Sequence, residues 1–275
     1  MSEVLDPDNK NLVLFLIITF LFSWILWLPS LLTSIISSKS IILFEGLKFI
    51  GSFGPFVAAF SLTYFNEGLD GIIYLWKRGW HYNNRIYLLI SIFLIPLLSG
   101  ISFLFLVIFK WHRPSQLITW DTIRYAIMEF IVIFFLAGPF QEEFGWRGYM
   151  LDRLQIQFDA VSSSLILGFF WSGWHLPLFF MIGTPQYNQA FLSFFFQVII
   201  ISVLFTWLHN NTKRSIFIAM IFHTTTNMVN SIFPVNNTVL GSTLFTTLLN
   251  TVMVIVIIIY GPEKLKRNLK KERKR

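Results

Sequence analysis

The chain has 275 residues, of which 55% are hydrophobic and 13% are charged, and its formal net charge is +7. Soluble domains carry about 25% charged residues, and the mean hydropathy here is +0.65, so the composition excludes an ordinary soluble domain and indicates a membrane protein. The absence of cysteine excludes disulfides, thiolate metal sites and cysteine nucleophiles.

Eight apolar segments follow one another along the chain, each close to the ~20 residues that a helix needs to cross a bilayer. They cover residues 11–32, 44–65, 86–109, 122–144, 160–182, 190–208, 213–233 and 238–260. The stretch MSEVLDPDNK before the first segment is acidic and has no cleavage site, so we expect a retained span rather than a signal peptide. The predicted fold is all-α: one integral membrane domain over residues 1–275, with about eight transmembrane helices enclosing a polar cavity.

Basic residues are distributed unevenly between the two sides that these spans define. One side has Lys10, Lys77, Arg78, Arg85, Arg147, Arg153, Lys213, Arg214 and the tail 261–275, and the other has Lys39, Lys110, Arg113 and Arg124. Because basic residues are enriched on the cytoplasmic side, we expect a multi-pass protein with both termini in the cytoplasm. No stacking aromatic residues interleave the basic tail, so we expect it to lie near anionic lipids and not to bind nucleic acid.

The fourth segment ends in QEEFGWR, which places Glu142, Glu143 and Arg147 at its end. A charge inside a span costs at least ~2.5 kcal/mol, so intramembrane carboxylates are candidates for function. Helical spacing pairs Glu143 with Arg147 and directs Glu142 elsewhere, towards Gly138, which leaves one carboxylate free. The alternative is that this stretch is only the interfacial end of a span, with its aromatic residues in the membrane interface.

Two later segments supply possible partners for the free carboxylate. Ser164, Gly168 and Ser172 recur every four residues, a pattern that lets helices approach closely, and His175 continues the same face. A lone histidine on such a face can also be a packing residue that is held by a hydrogen bond.

The seventh segment repeats this spacing with polar residues. Ser215, Ala219, His223 and Asn227 lie four residues apart, so His223 and Asn227 can converge on one point. Each polar group alone could simply join helices, but a free carboxylate, two imidazoles and an amide on three helices favour a site. We expect the other histidines, His81, His112 and His209, to be surface residues.

Glutamate, histidine and asparagine without cysteine suit hydrolysis by an activated water. Glu142 and an imidazole can take a proton from the water as it attacks a carbonyl, and a second imidazole with an amide can stabilise the oxyanion. We expect no cofactor, although Glu142, His175 and His223 could be zinc ligands. The H-E-x-x-H spacing is absent, and asparagine is an uncommon zinc ligand.

Three ordered motifs resemble those of the CPBP intramembrane proteases, which include the CAAX prenyl endopeptidases of the Rce1 type. They are E-E-x-x-x-R in EEFGWR, aromatic-x-x-x-H in WSGWH and H-x-x-x-N in HTTTN, and the resemblance covers roughly residues 120–235, the expected protease core. One departure is Trp171, four residues before His175, where the family has phenylalanine; an aromatic wall is kept.

This resemblance implies an eight-helix endopeptidase whose cavity faces the cytoplasm and admits membrane-associated or prenylated peptides. The resemblance implies that Glu142 and His175 activate the water and that His223 and Asn227 stabilise the oxyanion. It also implies that Glu143 and Arg147 support the site. His175 lies some 15 residues into its predicted span, which is deep for such a site unless the fourth span extends beyond the membrane.

Functions of other classes remain open at this stage. In a non-enzymatic membrane immunity factor or transporter, Glu142, His175 and His223 would form a proton relay. The sequence shows no inverted repeat of the kind that supports transport. A membrane scaffold is a third possibility.

Overall fold

The computed structural model describes residues 9–31, 41–82, 84–109 and 120–266, and these residues form helices with no strand among them. The eleven α-helices of this part of the chain are α1 Asn9–Leu31, α2 Ile41–Gly51, α3 Gly54–Arg78, α4 Arg85–Ile108, α5 Trp120–Leu136, α6 Pro139–Gly145, α7 Asp152–Gln157, α8 Ala160–Trp174, α9 Phe191–Asn211, α10 Ile216–Ile232 and α11 Val239–Tyr260. The predicted all-α membrane fold is confirmed. The expectations for residues 1–8, Lys39, Lys110, His112, Arg113 and 267–275 concern positions outside the described ranges.

All eight predicted apolar segments coincide with helices, but these differ in length. Four helices are long and apolar enough to cross a membrane, α1, α4, α9 and α11, and two bent pairs bring the number to six if each pair is one span. The helices α8 and α10 have 15 and 17 residues, fewer than the ~20 that a span needs. The protein is therefore multi-pass, with fewer full-length spans in the described ranges than the eight expected, and the orientation of its termini stays a prediction.

The helix α3 is interrupted at Gly68, whose φ of +67° is a conformation that glycine adopts without strain. The rings of Phe60 and Trp76 lie 6.4 Å apart, whereas a straight helix would separate these residues by about 24 Å. The chain therefore turns sharply at Gly68. The second half of α3 then packs on α6, with Trp76 stacked on Phe144 at 5.7 Å.

A long helical rod begins after a bend at Gly138, where α5 and the following helix make an angle of 43°. Gly138 has φ of +113°, and Gln141 bridges the bend by accepting from Gly138 N at 3.0 Å and donating to Phe135 O at 2.9 Å. The rod continues from α6 through a π-helical turn, Trp146–Leu151, into α7. Gln157 is its last helical residue, so the helix extends well past the predicted end of the fourth span at residue 144.

The rod and α8 run antiparallel to each other, because a short connection at residues 158–159 joins them. Glu142 precedes Gln157, the end of the rod, by 15 residues, and His175 follows Ala160, the start of α8, by 15 residues. Each side chain is thus about 22 Å along its helix from the connection, and the two lie level. The extra length of the fourth helix places Glu142 as far from the connection as His175, which explains how the two can meet despite the position of His175 some 15 residues into its predicted span.

The small-residue face of α8 packs closely on α9, as its four-residue spacing predicted. A Cβ atom at Gly168 would lie 3.0 Å from the Cα of Ile199, and Ser164 Oγ donates to Thr206 Oγ1 at 2.7 Å. This contact fixes α8, and therefore His175 at its end, against α9.

A buried polar layer lies ten residues beyond Glu142 on the rod, which is about 15 Å along the helix. Asp152 accepts from Arg78 Nη1 at 2.8 Å and lies 3.0 Å from His209 Nε2. His209 is fully buried, so its prediction as a surface residue is wrong: Asp152 from another helix covers it. His81 is exposed, as expected.

Residues 261–266 pack against the ends of two helices. The carbonyls of Glu263 and Pro262 accept from the first two amides of α8 at 2.8 and 3.2 Å, which gives partners to groups that a helix start leaves unpaired. At the end of α9, Asn210 donates to Lys264 O at 2.8 Å and Asn211 to Leu265 O at 2.7 Å. The predicted tail 261–275 therefore begins with a docked segment.

We expect Leu265→Ala to destabilise the protein by about 2–5 kcal/mol, because a fully buried leucine loses its packing and leaves a cavity. Thermal unfolding in detergent measures the effect. Lys266→Ala, a change at the adjacent exposed residue, is the matched control and should be nearly neutral. Equal melting temperatures for the two variants would contradict the docking of this segment.

Candidate active site

Glu143 is the centre of a buried charged group. Its Oε1 accepts from Arg147 Nη1 at 2.8 Å, which confirms the pairing predicted from helical spacing. The same oxygen lies 2.7 Å from Nδ1 of His223 on α10. Since a carboxylate accepts hydrogen bonds, His223 donates from Nδ1, and its Nε2 is the nitrogen left for other chemistry. Sequence analysis assigned Glu143 to Arg147 alone and missed that it orients His223.

The guanidinium of Arg147 contacts two aromatic rings in addition to its ion pair with Glu143. Its guanidinium carbon lies 4.1 Å from the ring centroid of Trp171 and 3.8 Å from that of Phe205, distances at which a cation is attracted to the ring face. The side chain is fully buried. Phe205 was not identified from the sequence, where nothing distinguishes it among 32 phenylalanines.

Glu142 contacts α8. Its Oε2 accepts a hydrogen bond from the indole Nε1 of Trp171 at 2.6 Å and lies 4.0 Å from Nε2 of His175. That separation is too long for a direct hydrogen bond, but one water molecule between the two atoms can contact both. The structure thus brings Glu142 and His175 together in the way that shared water activation requires.

Trp171 organises both members of this pair. While its side chain holds Glu142, its backbone carbonyl lies 2.8 Å from His175 Nδ1. A carbonyl can only accept, so Nδ1 carries the proton and a neutral His175 presents a lone pair at Nε2. The tryptophan that departs from the family pattern is thus a hydrogen-bond donor, which phenylalanine cannot be.

Asn227 lies at the open side of the group. It is exposed, whereas Glu142, Glu143, Arg147, His175 and His223 are buried. Its Nδ2 donates to the carbonyl of Ala137 at 3.3 Å, and the structure gives no hydrogen bond between Asn227 and His223. A Cβ atom at Gly138 would lie 2.7 Å from Glu142 Oε1 and 3.6 Å from Asn227 Nδ2, so both residues border the same glycine.

The zinc ligand set that the sequence allowed was Glu142, His175 and His223. In the structure the Nδ1 atoms of both histidines face Trp171 O and Glu143, which leaves their Nε2 atoms available. No group of three histidine, aspartate or glutamate side chains in the described ranges lies close enough together to be a candidate metal site as arranged. The expectation that the protein needs no metal stays a prediction.

Comparison with known proteins identifies the central region of the chain. Residues 124–229 match the family described as Type II CAAX prenyl endopeptidase Rce1-like, and this range contains all six predicted site residues. The protein named CAAX prenyl protease 2 from Methanococcus maripaludis is 38% identical over 109 residues, which are 36% of this chain and 40% of that protein. The similarity therefore covers less than half of either chain.

Proposed function

Because residues 124–229 of this chain belong to the Rce1-type family of CAAX prenyl endopeptidases, we propose that the protein is an intramembrane endopeptidase. Its substrates are lipid-linked or membrane-adjacent peptides. The observation that carries the proposal is the placement of His175 Nε2 at 4.0 Å from Glu142 Oε2, a spacing that suits one shared water. Both side chains are buried, so this water would be positioned away from bulk solvent.

The reaction begins with the water between Glu142 and His175. The water oxygen attacks the scissile carbonyl carbon while Glu142 takes one proton from the water. The other hydrogen of the water donates a hydrogen bond to His175 Nε2. The tetrahedral intermediate then collapses, and the C–N bond breaks. The proton held by Glu142 passes to the leaving amine, so the carboxylate is regenerated.

Two donors stabilise the oxyanion in this scheme. His223 already donates from Nδ1 to Glu143, so it can donate from Nε2 only as an imidazolium. Asn227 supplies the second donor from its side-chain amide, of which one N–H contacts Ala137 O. Donors placed where charge develops are typically a large part of catalysis.

The experiment that tests this function uses the purified full chain in lipid vesicles. A peptide that carries a C-terminal prenylated cysteine motif and the same peptide without the lipid are supplied, and products are identified by mass spectrometry. We expect cleavage of the prenylated peptide. If no peptide is cleaved and the vesicles instead show a proton flux that depends on Glu142, the protein is a transporter and the proposal is wrong.

Metal dependence is tested separately on the same preparation. With a water held only by Glu142 and His175, metal content should be well below one equivalent, and chelators should leave cleavage largely intact. Added zinc is expected to inhibit by binding the same side chains. Stoichiometric zinc that is lost together with activity would instead make Glu142, His175 and His223 ligands.

A further inference from the structure

The helix α5 is weakly integrated into the bundle. Among the described elements it packs mainly on α10 and on α6, its own continuation. Residues along its outer part are more than half exposed: Trp120, Tyr125, Ile127, Met128, Ile131 and Val132. In a membrane these apolar side chains face lipid, so α5 is a peripheral helix whose main lateral neighbour among the described elements is α10.

Glu129 lies near the middle of α5, among apolar residues, and a carboxylate within a membrane span is a candidate for function. Ser231 Oγ on α10 lies 2.6 Å from Glu129 Oε2 and 2.6 Å from the carbonyl of Met228 on its own helix, so the two acceptors share its one hydroxyl proton. Ser231 continues the four-residue repeat of His223 and Asn227, so one stripe of α10 leads from the buried imidazole to the exposed surface. Glu129 and Ser231 were not singled out from the sequence.

A second polar contact joins α5 to α10 beside the site. The Asn227 amide donates to the carbonyl of Ala137, the residue before Gly138, and Gly138 has the positive φ of a backbone that can bend there. Glu142 Oε1 borders the same glycine. Any movement of α5 about Gly138 therefore occurs next to the proposed base and the proposed oxyanion donor.

The exposure of the site residues indicates the direction of access. Asn227 is exposed while the other five are buried, so the site is approached from the seam between α5 and α10. In the present arrangement the Ala137 carbonyl occupies the Asn227 amide, the same kind of group that the amide would bind in a substrate. The Ala137 carbonyl takes one of the two N–H groups of this amide, and moving Ala137 away would leave both for a scissile carbonyl.

We propose that α5 is a lateral gate, that Glu129 and Ser231 form its latch, and that opening about Gly138 admits a membrane-tethered peptide and frees Asn227. The proposal rests on the proposed endopeptidase function for its substrate. Hydrogen bonds between membrane helices are individually weak, so a latch of this kind can open thermally and a substrate that binds the open state shifts the population.

The gate itself is tested by a distance measurement that does not depend on cleavage. The chain has no cysteine, so spin labels can be attached at Met128→Cys on α5 and Val254→Cys on α11, both of which are exposed. The distance between the two labels reports the position of α5 relative to α11. We expect a second, altered distance whose population grows several-fold when Ser231→Ala removes the latch. Labels at Leu165→Cys on α8 and Val254→Cys are the matched control and should not respond. A single distance that is the same with Ser231 and in the Ser231→Ala variant would contradict the proposal that α5 is a gate.

A cross-linking experiment then connects the gate to substrate entry. In Glu129→Cys/Ser231→Cys, a short bifunctional thiol reagent should slow cleavage of the prenylated peptide by at least roughly tenfold, as expected when a gating motion is blocked. Each single-cysteine variant should be unaffected by the reagent, and a reducible cross-link should restore the rate. If the fully cross-linked protein cleaves at the parent rate, lateral entry is contradicted. If the protein does not cleave even before cross-linking, the proposed function is contradicted, and the distance measurement alone decides whether α5 is a gate.

Discussion

Glu142→Gln is expected to lower cleavage of a lipid-linked peptide by about 10²–10⁴-fold, the usual contribution of a general base, while the protein inserts and folds normally. Glutamine has nearly the same shape, and its amide oxygen can still accept from the indole of Trp171. It cannot take a proton from water. Measured kcat/KM in vesicles, with melting temperature in detergent as the check on folding, tests this result.

His175→Ala provides the accompanying comparison. It should be about as inactive as Glu142→Gln, because both groups act on one water, and the double variant should lose little more than either single variant. If Glu142→Gln is well expressed and cleaves at the parent rate, the base has been assigned to the wrong residue.

Arg147→Met is expected to destabilise the protein by about 3–5 kcal/mol, the usual consequence of leaving a buried carboxylate without its cation. Glu143 and Arg147 are both fully buried, so solvent cannot replace the lost partner. The stacking of the guanidinium on Trp171 and Phe205 is lost as well. Expression level and thermal unfolding in detergent measure the effect.

The double variant Glu143→Gln/Arg147→Met separates stability from catalysis. Without a buried charge to compensate, it should recover most of the stability, since apolar replacements of buried ion pairs are often neutral. It should remain poorly active, because His223 no longer has a carboxylate at Nδ1. A double variant that is as unstable as Arg147→Met would contradict this account.

Local spacing in the sequence was enough to predict several parts of the site. The pairing of Glu143 with Arg147 is set by a four-residue separation within one helix. The inward face of α8 follows from its small residues, which only a close neighbour requires. The first prediction succeeds because both partners lie on one helix. The second succeeds because small residues allow a short distance between two helices.

Contacts between distant parts of the chain could not be predicted in this way. Trp171 and Glu142 are 29 residues apart, and Ser231 and Glu129 are 102 apart, so no periodicity links them. The burial of His209 depends on Asp152, 57 residues earlier in the chain. The sharp turn at Gly68 was missed because glycine is common in membrane helices and does not by itself indicate a break.

The π-helical turn between Trp146 and Leu151 has a consequence for how related sequences are aligned. A π turn accommodates one residue more than an α turn, so a related chain with one residue fewer and an α turn here would keep its later side chains in the same orientation relative to Glu142. The residue equivalent to Asp152 would still face the equivalents of Arg78 and His209, its partners in the folded protein. A one-residue gap between Glu142 and Asp152 in an alignment is therefore compatible with the same fold, and it belongs within the turn Trp146–Leu151.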